Sequence, residues 1–197
     1  MTLPRAVAVV GVALAAALAF TGCAAMSSGT GGMSHDGHGT SGADAAAEAN
    51  AADVMFAQMM IPHHEQALEM SAIVLAKDGV DPEVADLAEQ IAAAQGPEIE
   101  QLEAWLDAWG VPRMSGDHDM AMDGMLTEEQ LDELEAADAA SGSELFLEQM
   151  IAHHEGAIDM AEQHQASGEH EGALELSAAI IETQAAEIER MRVLLAA

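Results

Sequence analysis

The chain contains one histidine-bearing segment twice, and this duplication constrains its fold more than any other feature. FAQMMIPHHEQALEM at residues 56–70 aligns with FLEQMIAHHEGAIDM at residues 146–160, and QGPEIEQL at 95–102 aligns with QAAEIERM at 184–191. The apolar residues of the first pair recur with helical spacing. The pattern predicts two copies of one helical hairpin, which pair as a four-helix bundle with approximate two-fold symmetry.

Composition and capping signals agree with an all-α fold. Aromatic residues are only 3% of the chain although hydrophobic residues are 50%, which leaves little material for a sheet. Glycine, proline and N-cap residues divide the chain into four long helices and one short connecting helix. We expect helices at about 44–77, 82–109 and 128–140, a break at 141–143 followed by a helix to about 166, and a last helix from about 170.

The N-terminus is typical of an export signal. Arg5 precedes an apolar run at residues 6–20, which is too short for a comfortable transmembrane helix. The run ends in FTGC, which resembles a bacterial lipobox, so we expect a signal peptide at residues 1–22 and lipidation of Cys23. The alternative is an incidental cysteine in a signal peptide that is cleaved further on.

The rest of the chain then divides into a tether and one domain. Residues 23–49 are rich in Gly and Ser and predict a lipid-anchored flexible tether. Residues 50–197 form the duplicated domain, with repeats at about 50–110 and 140–197. We expect this domain at the extracytoplasmic face of the cell membrane, or secreted or periplasmic.

Charge and cysteine content limit the partners. The net charge of −30 argues against nucleic acid and against a helix lying on anionic lipid, so the lipid anchor is the only expected membrane contact. Cys23 is the single cysteine. Any metal site must therefore be built from histidine, methionine and carboxylate side chains.

Heptad spacing places one histidine of each pair on the inward seam and the other beside it. Burying imidazoles is costly without partners, and a bound metal satisfies several of them at once. The alternative for each histidine is a hydrogen-bonded core residue. Several methionines lie on the same stripes, where each thioether is either core packing or a soft ligand. The candidate metal ligands are His63, His64, Met60, Met70, His153, His154, Met150, Met160 and His164.

Four glutamates also repeat. Glu65 and Glu155 turn toward the outer face, where they are solvated or lie at the periphery of a site. The predicted inward seam of the second helix passes through Ala94 and then Glu98, which is repeated as Glu187. Gln95 and its repeat Gln184 precede these two glutamates by one turn. Each of the four side chains either orients a histidine of the facing helix or forms a buried polar link, and spacing leaves both possibilities open.

The ligand types indicate which metal would bind. Thioether and imidazole without thiolate favour copper, with methionine suited to Cu(I) and histidine to Cu(II). The segments at 33–39 and 114–125 cluster Met, His and Asp, and either contact metal or are solubilising loops. A di-iron bundle requires Glu-x-x-His, which the sequence lacks. No nucleophile stands in a recognisable motif, so we do not expect an enzyme.

MMIPHHEQALEM with DPEVADLAEQI, and GMLTEEQLDELEAA followed by FLEQMIAHHEGAIDMA, resemble the secreted bacterial family called domain of unknown function 305 (DUF305). The resemblance spans roughly residues 50–197. It implies a ferritin-like bundle and, for some members, copper binding in the periplasm. The paired histidines of the family correspond to His63, His64, His153 and His154.

The sequence thus predicts an extracytoplasmic metal-binding protein that buffers or delivers copper, in contact with other copper-handling proteins. One alternative is a structural or interaction bundle with hydrogen-bonded core histidines. Another is a bundle that binds zinc, nickel or iron. The oligomeric state does not follow from the sequence.

Overall fold

The computed structural model describes residues 49–114 and 124–197. These ranges form five helices and no strand, which confirms the all-α prediction. None of these helices is long and apolar enough to cross a bilayer. Several predicted features lie outside the described residues: the signal peptide, Cys23, nearly all of the tether, the 33–39 segment and residues 115–123. The helices are α1 (Ala51–Leu75), α2 (Pro82–Trp109), α3 (Glu128–Ala136), α4 (Ala139–Ser167) and α5 (Glu171–Leu195).

Local capping chemistry explains where the helices begin. Asp81 caps α2 ahead of Pro82, and Thr127 with Gln130 forms the capping box of α3, as predicted. The predicted start of α1 near residue 44 is wrong. Asn50 has an extended backbone, and its side chain accepts hydrogen bonds from the amides of the first turn, so α1 begins one residue later.

The predicted break at residues 141–143 is also wrong. Asp138 caps α4 by accepting a hydrogen bond from the Ser141 amide at 2.9 Å, so the helix begins at Ala139 and runs through Gly142. The Ser143 hydroxyl donates to the carbonyl of Ala139 within the helix and does not cap a new one. A good N-cap three residues upstream therefore outweighs the low helix propensity of the Ser-Gly-Ser stretch.

The bundle consists of two hairpins. α1 packs along α2, α4 packs along α5, and the hairpins join mainly through α1 and α4. Phe56 near the start of α1 shares an apolar cluster with Ala161 near the end of α4, whereas Met70 shares another with Phe146. The two central helices are therefore antiparallel, as a two-fold arrangement of identical hairpins requires.

The apolar core is divided by a polar layer. One apolar cluster contains Met60 and Ala157, and the other contains Ala67 and Met150. Between them, the two repeated histidine pairs occupy the middle of both central helices and are fully buried. We call this set the histidine layer; it consists of His63, His64, His153 and His154.

Candidate metal centre

The first histidines of the two pairs face each other. The ring centroids of His63 and His153 are 3.8 Å apart, with the ring planes inclined at 41°. Each repeat supplies one ring from the inward seam of its first long helix, as the heptad pattern predicts. The contact between equivalent residues marks the centre of the two-fold arrangement, so the layer is one assembly to which both repeats contribute.

The second histidines are each held by a glutamate from the other helix of the same hairpin. His64 Nε2 lies 2.8 Å from Glu98 Oε2, and His154 Nε2 lies 2.7 Å from Glu187 Oε2. A carboxylate only accepts hydrogen bonds, so in the neutral tautomer that suits this contact the ring proton is on Nε2 and Nδ1 has a lone pair. Carboxylates hold metal-binding histidines in this way.

The Nδ1 atoms of His64 and His154 are buried and have no hydrogen-bond partner within the described ranges. A buried acceptor without a partner costs free energy, and a positively charged ligand would satisfy it. The two glutamates therefore make the orienting contact, one of the two roles that the sequence left open for them.

The inward stripe of α2 differs from the predicted seam. Gln95 and Ile99 are buried, whereas Ala94 is exposed and the Glu98 side chain is 20% exposed. Glu98 thus reaches His64 from the edge of the core. Gln184, the repeat of Gln95, is buried in the same way. Each hairpin therefore has a buried amide one turn before its glutamate, at the repeated glutamine position that the sequence singles out.

Burial keeps the layer uncharged at His153. Desolvation lowers the pKa of His153 well below its ordinary value of 6.5, and the positive charges that His63, His154 and His64 would carry act in the same direction. A hydrogen bond to the His63 backbone opposes these effects but does not outweigh them. The neutral ring is the form that binds metal ions.

The predicted methionine ligands flank the layer on both sides. Met60, Met70 and Met150 are fully buried, whereas Met160 is half-buried. Met60 and Met160 pack in one apolar cluster, and Met70 and Met150 pack in the other. The four thioethers therefore do not gather on one side of the histidines.

His164 belongs to a different network, and we leave it out of the ligand set. Its Nδ1 lies 2.9 Å from Ser177 Oγ, its Nε2 lies 2.8 Å from Asp53 Oδ1, and its ring stacks on Phe56 at 4.3 Å. Both ring nitrogens are occupied by protein partners, so neither is available to an ion. The heptad position that suggested a ligand is explained by a structural hydrogen-bond network.

Asp53 is the centre of that network. Burial tends to raise the pKa of its carboxyl group, but hydrogen bonds from His164 and from the backbone amides of Asn50, His170 and Glu169 together hold the pKa below its ordinary value of 3.8. Ser177 is fully buried, and its hydroxyl also contacts the Leu174 carbonyl at 3.1 Å. We call Asp53, His164 and Ser177 the end network.

Glu65 and Glu155 form surface ion pairs. Arg113 contacts Glu65 at 2.6 Å, and Arg192 contacts Glu155 at 3.0 Å, with both glutamate side chains about half exposed. Each glutamate follows its histidine pair in sequence but points away from the core. Their peripheral location agrees with the predicted outer face.

No three His, Cys, Asp or Glu side chains within residues 49–114 and 124–197 are grouped closely enough to bind one ion. Carboxylates hold the outer histidines through Nε2, and the central pair is in ring contact. The layer thus offers imidazole nitrogens without a preassembled three-ligand site of these residue types.

Residues 124–126 are held beside the layer, a contact that the sequence pattern did not predict. The Gln66 side chain donates to the Leu126 carbonyl at 3.0 Å and accepts from the Leu126 amide at 2.7 Å. Gly124 has a φ of +85° and lies so close to α4 that a Cβ would meet the backbone of Ala152 and Gly156. Gln66 and Gly156 occupy equivalent positions of the two repeats. This difference between the repeats was the sequence signal that could have indicated the contact.

The fold and the site define a class of protein: duplicated four-helix bundles with a carboxylate-supported histidine layer at the centre. The model of the DUF305 family, a domain of unknown function, matches residues 53–195. The chain belongs to this family, which confirms the resemblance seen in the sequence. Comparison with curated proteins gave no match.

Solved structures of related proteins have the same fold. A DUF305 protein from Streptomyces coelicolor is 35% identical, with a TM-score of 0.69 over 74% of this chain and 92% of that one. A DUF305 fragment from Deinococcus radiodurans is 31% identical, with a TM-score of 0.69 over 75% and 97%. CopM in its Cu(II)-bound form is 32% identical, with a TM-score of 0.64 over 73% and 95%.

Proposed function

We propose that this chain binds copper as cargo through the histidine layer. The observation that carries the proposal is the repeated geometry of His64 and His154, each held at Nε2 by a glutamate with Nδ1 buried and unpartnered within the described residues. Imidazole nitrogen is a preferred ligand of Cu(II). The related protein CopM has been solved with Cu(I), Cu(II) and silver bound, which supports copper as the ion.

The methionines extend the proposal to Cu(I). Met60 and Met150 each lie four residues before a glutamate-held histidine, so thioether and imidazole share one helix face. Both are fully buried beside the layer. Thioethers favour Cu(I) over harder ions. We assign Met60 and Met150 as additional Cu(I) ligands, with Met70 and Met160 further out on the same helices.

A metal-retention experiment tests this function. Protein exposed to Cu(II), or to Cu(I) without oxygen, and then desalted should retain at least one copper per chain. Replacing both His64 and His154 by Ala should abolish Cu(II) retention. His170→Ala is the matched control, because His170 is half-buried beside Trp105 and Trp109 and lies outside the layer. Wild-type protein that retains no copper in either oxidation state would refute the proposal.

One observation favours a second candidate, a structural bundle whose histidines only complete the core. The described residues contain no preassembled group of three His, Cys, Asp or Glu ligands, as expected if no ion binds. In this alternative the His64/His154 double variant is less stable than wild type, yet copper retention is negligible in both. The retention experiment therefore separates the two candidates directly.

Metal competition separates copper from zinc, nickel and iron. At fixed pH, copper should displace zinc and nickel from the layer, as the usual order of divalent affinities predicts. Replacing Met60 and Met150 by Leu keeps the side-chain volume nearly constant. This change should weaken Cu(I) binding far more than zinc binding, because only Cu(I) draws on the thioethers.

We further propose that the protein works outside the cytoplasm, anchored through Cys23, and that it buffers copper or delivers it to other copper-handling proteins rather than catalysing a reaction. The signal-like N-terminus supports export, and the Streptomyces coelicolor relative is described as a candidate secreted protein. Cys23→Ser should move the protein from the membrane fraction to the soluble fraction. Unchanged fractionation would refute the anchor while leaving copper binding intact.

A further inference from the structure

A second group of methionines borders an open cavity at the surface of the bundle. An open cavity of about 410 Å³ at the start of α1 is lined by Met55, Met59 and Met114. Asn50, Val54 and Gln58 complete most of its wall. Three of the methionines described in the chain thus border one solvent-accessible space. Met114 begins the 114–125 segment, for which the sequence left metal contact open, whereas Met55 and Met59 were not predicted as ligands.

Two hydrogen-bonded anchors place the third methionine. Met55 and Met59 are separated by one turn of α1 and share a face. Gln58 donates from Nε2 to the Pro112 carbonyl at 2.8 Å, and Arg113 pairs with Glu65 and Glu103. These contacts hold the residues just before Met114 against α1. The fold therefore places Met114, from beyond α2, at the same cavity as the two methionines of α1.

Packing alone does not account for these methionines. Met55 is 59% exposed and is one of four large apolar side chains exposed within the described ranges. In the second repeat the equivalent positions carry Leu145 and Gln149. The duplicated bundle therefore folds without sulfur at these positions, and an exposed thioether gains little from burial.

We propose that Met55, Met59 and Met114 form a surface site for a soft monovalent ion, Cu(I) or Ag(I). A set of three thioethers selects such ions over zinc and other borderline or hard cations. Thioethers carry no titrating proton, so the site accepts an ion over a broad pH range. The net charge of −30 raises the local concentration of cations. The site's biological meaning rests on the proposed copper role, but its chemistry is separate from the histidine layer.

Methionine-methyl NMR of the full chain tests the site. Ag(I) is added to protein labelled with ¹³C at the methionine methyl groups, in chloride-free buffer, and signals are assigned with single Met→Leu variants. We expect the methyl signals of Met55, Met59 and Met114 to shift together and to saturate at one equivalent. Met55→Leu alone, at an exposed position, should weaken Ag(I) binding at least tenfold without affecting folding.

A triple variant gives the stoichiometry. Replacing all three methionines by Leu should remove one equivalent of Ag(I) or Cu(I) and leave Cu(II) retention unchanged. Met191→Leu is the control, because Met191 is fully buried in a core cluster and should leave the stoichiometry intact. Full stoichiometry in the triple variant, or shifts at Met60 and Met150 without shifts at Met55, would overturn the inference. Failure of the histidine-layer proposal shows separately, as absent Cu(II) retention.

Discussion

Buried histidines occur in two places in this bundle, the end network and the histidine layer, and their ring nitrogens are satisfied differently. In the end network, His164 uses both nitrogens on protein partners, Asp53 and Ser177. In the histidine layer, His64 and His154 each use one nitrogen on a glutamate and keep the other buried without a partner in the described residues. Both groups lie on heptad-related stripes of the central helices. A structural histidine therefore differs from a candidate ligand in having protein partners at both ring nitrogens, not in how deeply the ring is buried.

The duplication provides an internal control for this comparison. The equivalents of Asp53, His164 and Ser177 in the other repeat are Ser143, Val74 and Ala88. The opposite end of the bundle thus does without the end network and uses an apolar side chain in place of the imidazole. The histidine layer, in contrast, is present in both repeats. The two features therefore differ in symmetry, because the end network occurs once and the histidine layer draws equally on both repeats.

The largest expected effect is on stability, from Asp53→Ala. The substitution leaves His164 without its partner and removes the acceptor for the amides of Glu169 and His170. Breaking a buried, hydrogen-bonded pair typically costs about 3–5 kcal/mol. We expect a loss of this size in the free energy of unfolding, measured by urea denaturation of metal-free protein.

Ser143→Ala is the matched control, because Ser143 is the repeat equivalent of Asp53 and its hydroxyl bonds only within its own helix. Its cost should stay below about 1 kcal/mol. Equal losses in the two variants would contradict the distinction between the two ends of the bundle.

A smaller effect is expected on metal affinity, from Glu187→Gln and Glu98→Gln. Glutamine keeps the shape of the side chain, but it can donate a hydrogen bond to Nε2 and so move the ring proton to Nδ1. Loss of such a supporting carboxylate typically lowers metal affinity about 10–100-fold. A Cu(II) competition titration against a chromophoric chelator at fixed pH measures the change.

Glu155→Gln is the control for these variants, since Glu155 is half exposed and paired with Arg192. It should change the affinity by less than about twofold, as expected for a surface pair. An affinity that is insensitive to Glu98 and Glu187 would place copper elsewhere in the molecule.

Much of the fold was predictable from the sequence because its determinants are local. The heptad period placed His63 and His153 in the core, and capping residues located the start of α2 and α3. The role of His164 was not predictable, because its partner Asp53 lies 111 positions away. Only the packing of the first turn of α1 against the end of α4 brings the two together.

The site was less predictable than the fold, because it depends on contacts between segments that are distant in sequence. Sequence spacing nominated Glu98 as an orienting residue but could not decide its role, because a rotation of α2 by part of a turn determines whether Gln95 or Ala94 faces inward. The grouping of Met55 and Met59 with Met114 depends on how residues 112 and 113 fold back onto α1. Contacts between distant segments carry no periodic signal.

The smallest expected effect is a dependence of stability on pH that originates in the layer. The pKa of His153 is well below 6.5 in the folded protein, whereas in the unfolded chain it returns to its ordinary value. The unfolded state therefore binds more protons below pH 6.5, and stability falls as the pH drops through that value. One such group contributes about 1 kcal/mol of loss at one pH unit below its unfolded pKa. His153→Leu should reduce the slope of unfolding free energy against pH between about 6.5 and 5.5, measured with a metal chelator in the buffer.

Met150→Leu is the control, because it changes packing in the same region without removing a titrating group. The slope of its unfolding free energy against pH should equal that of wild type. If both variants keep the wild-type slope, His153 is not held neutral by the layer. The contrast between the end network and the histidine layer would then rest on hydrogen bonding alone.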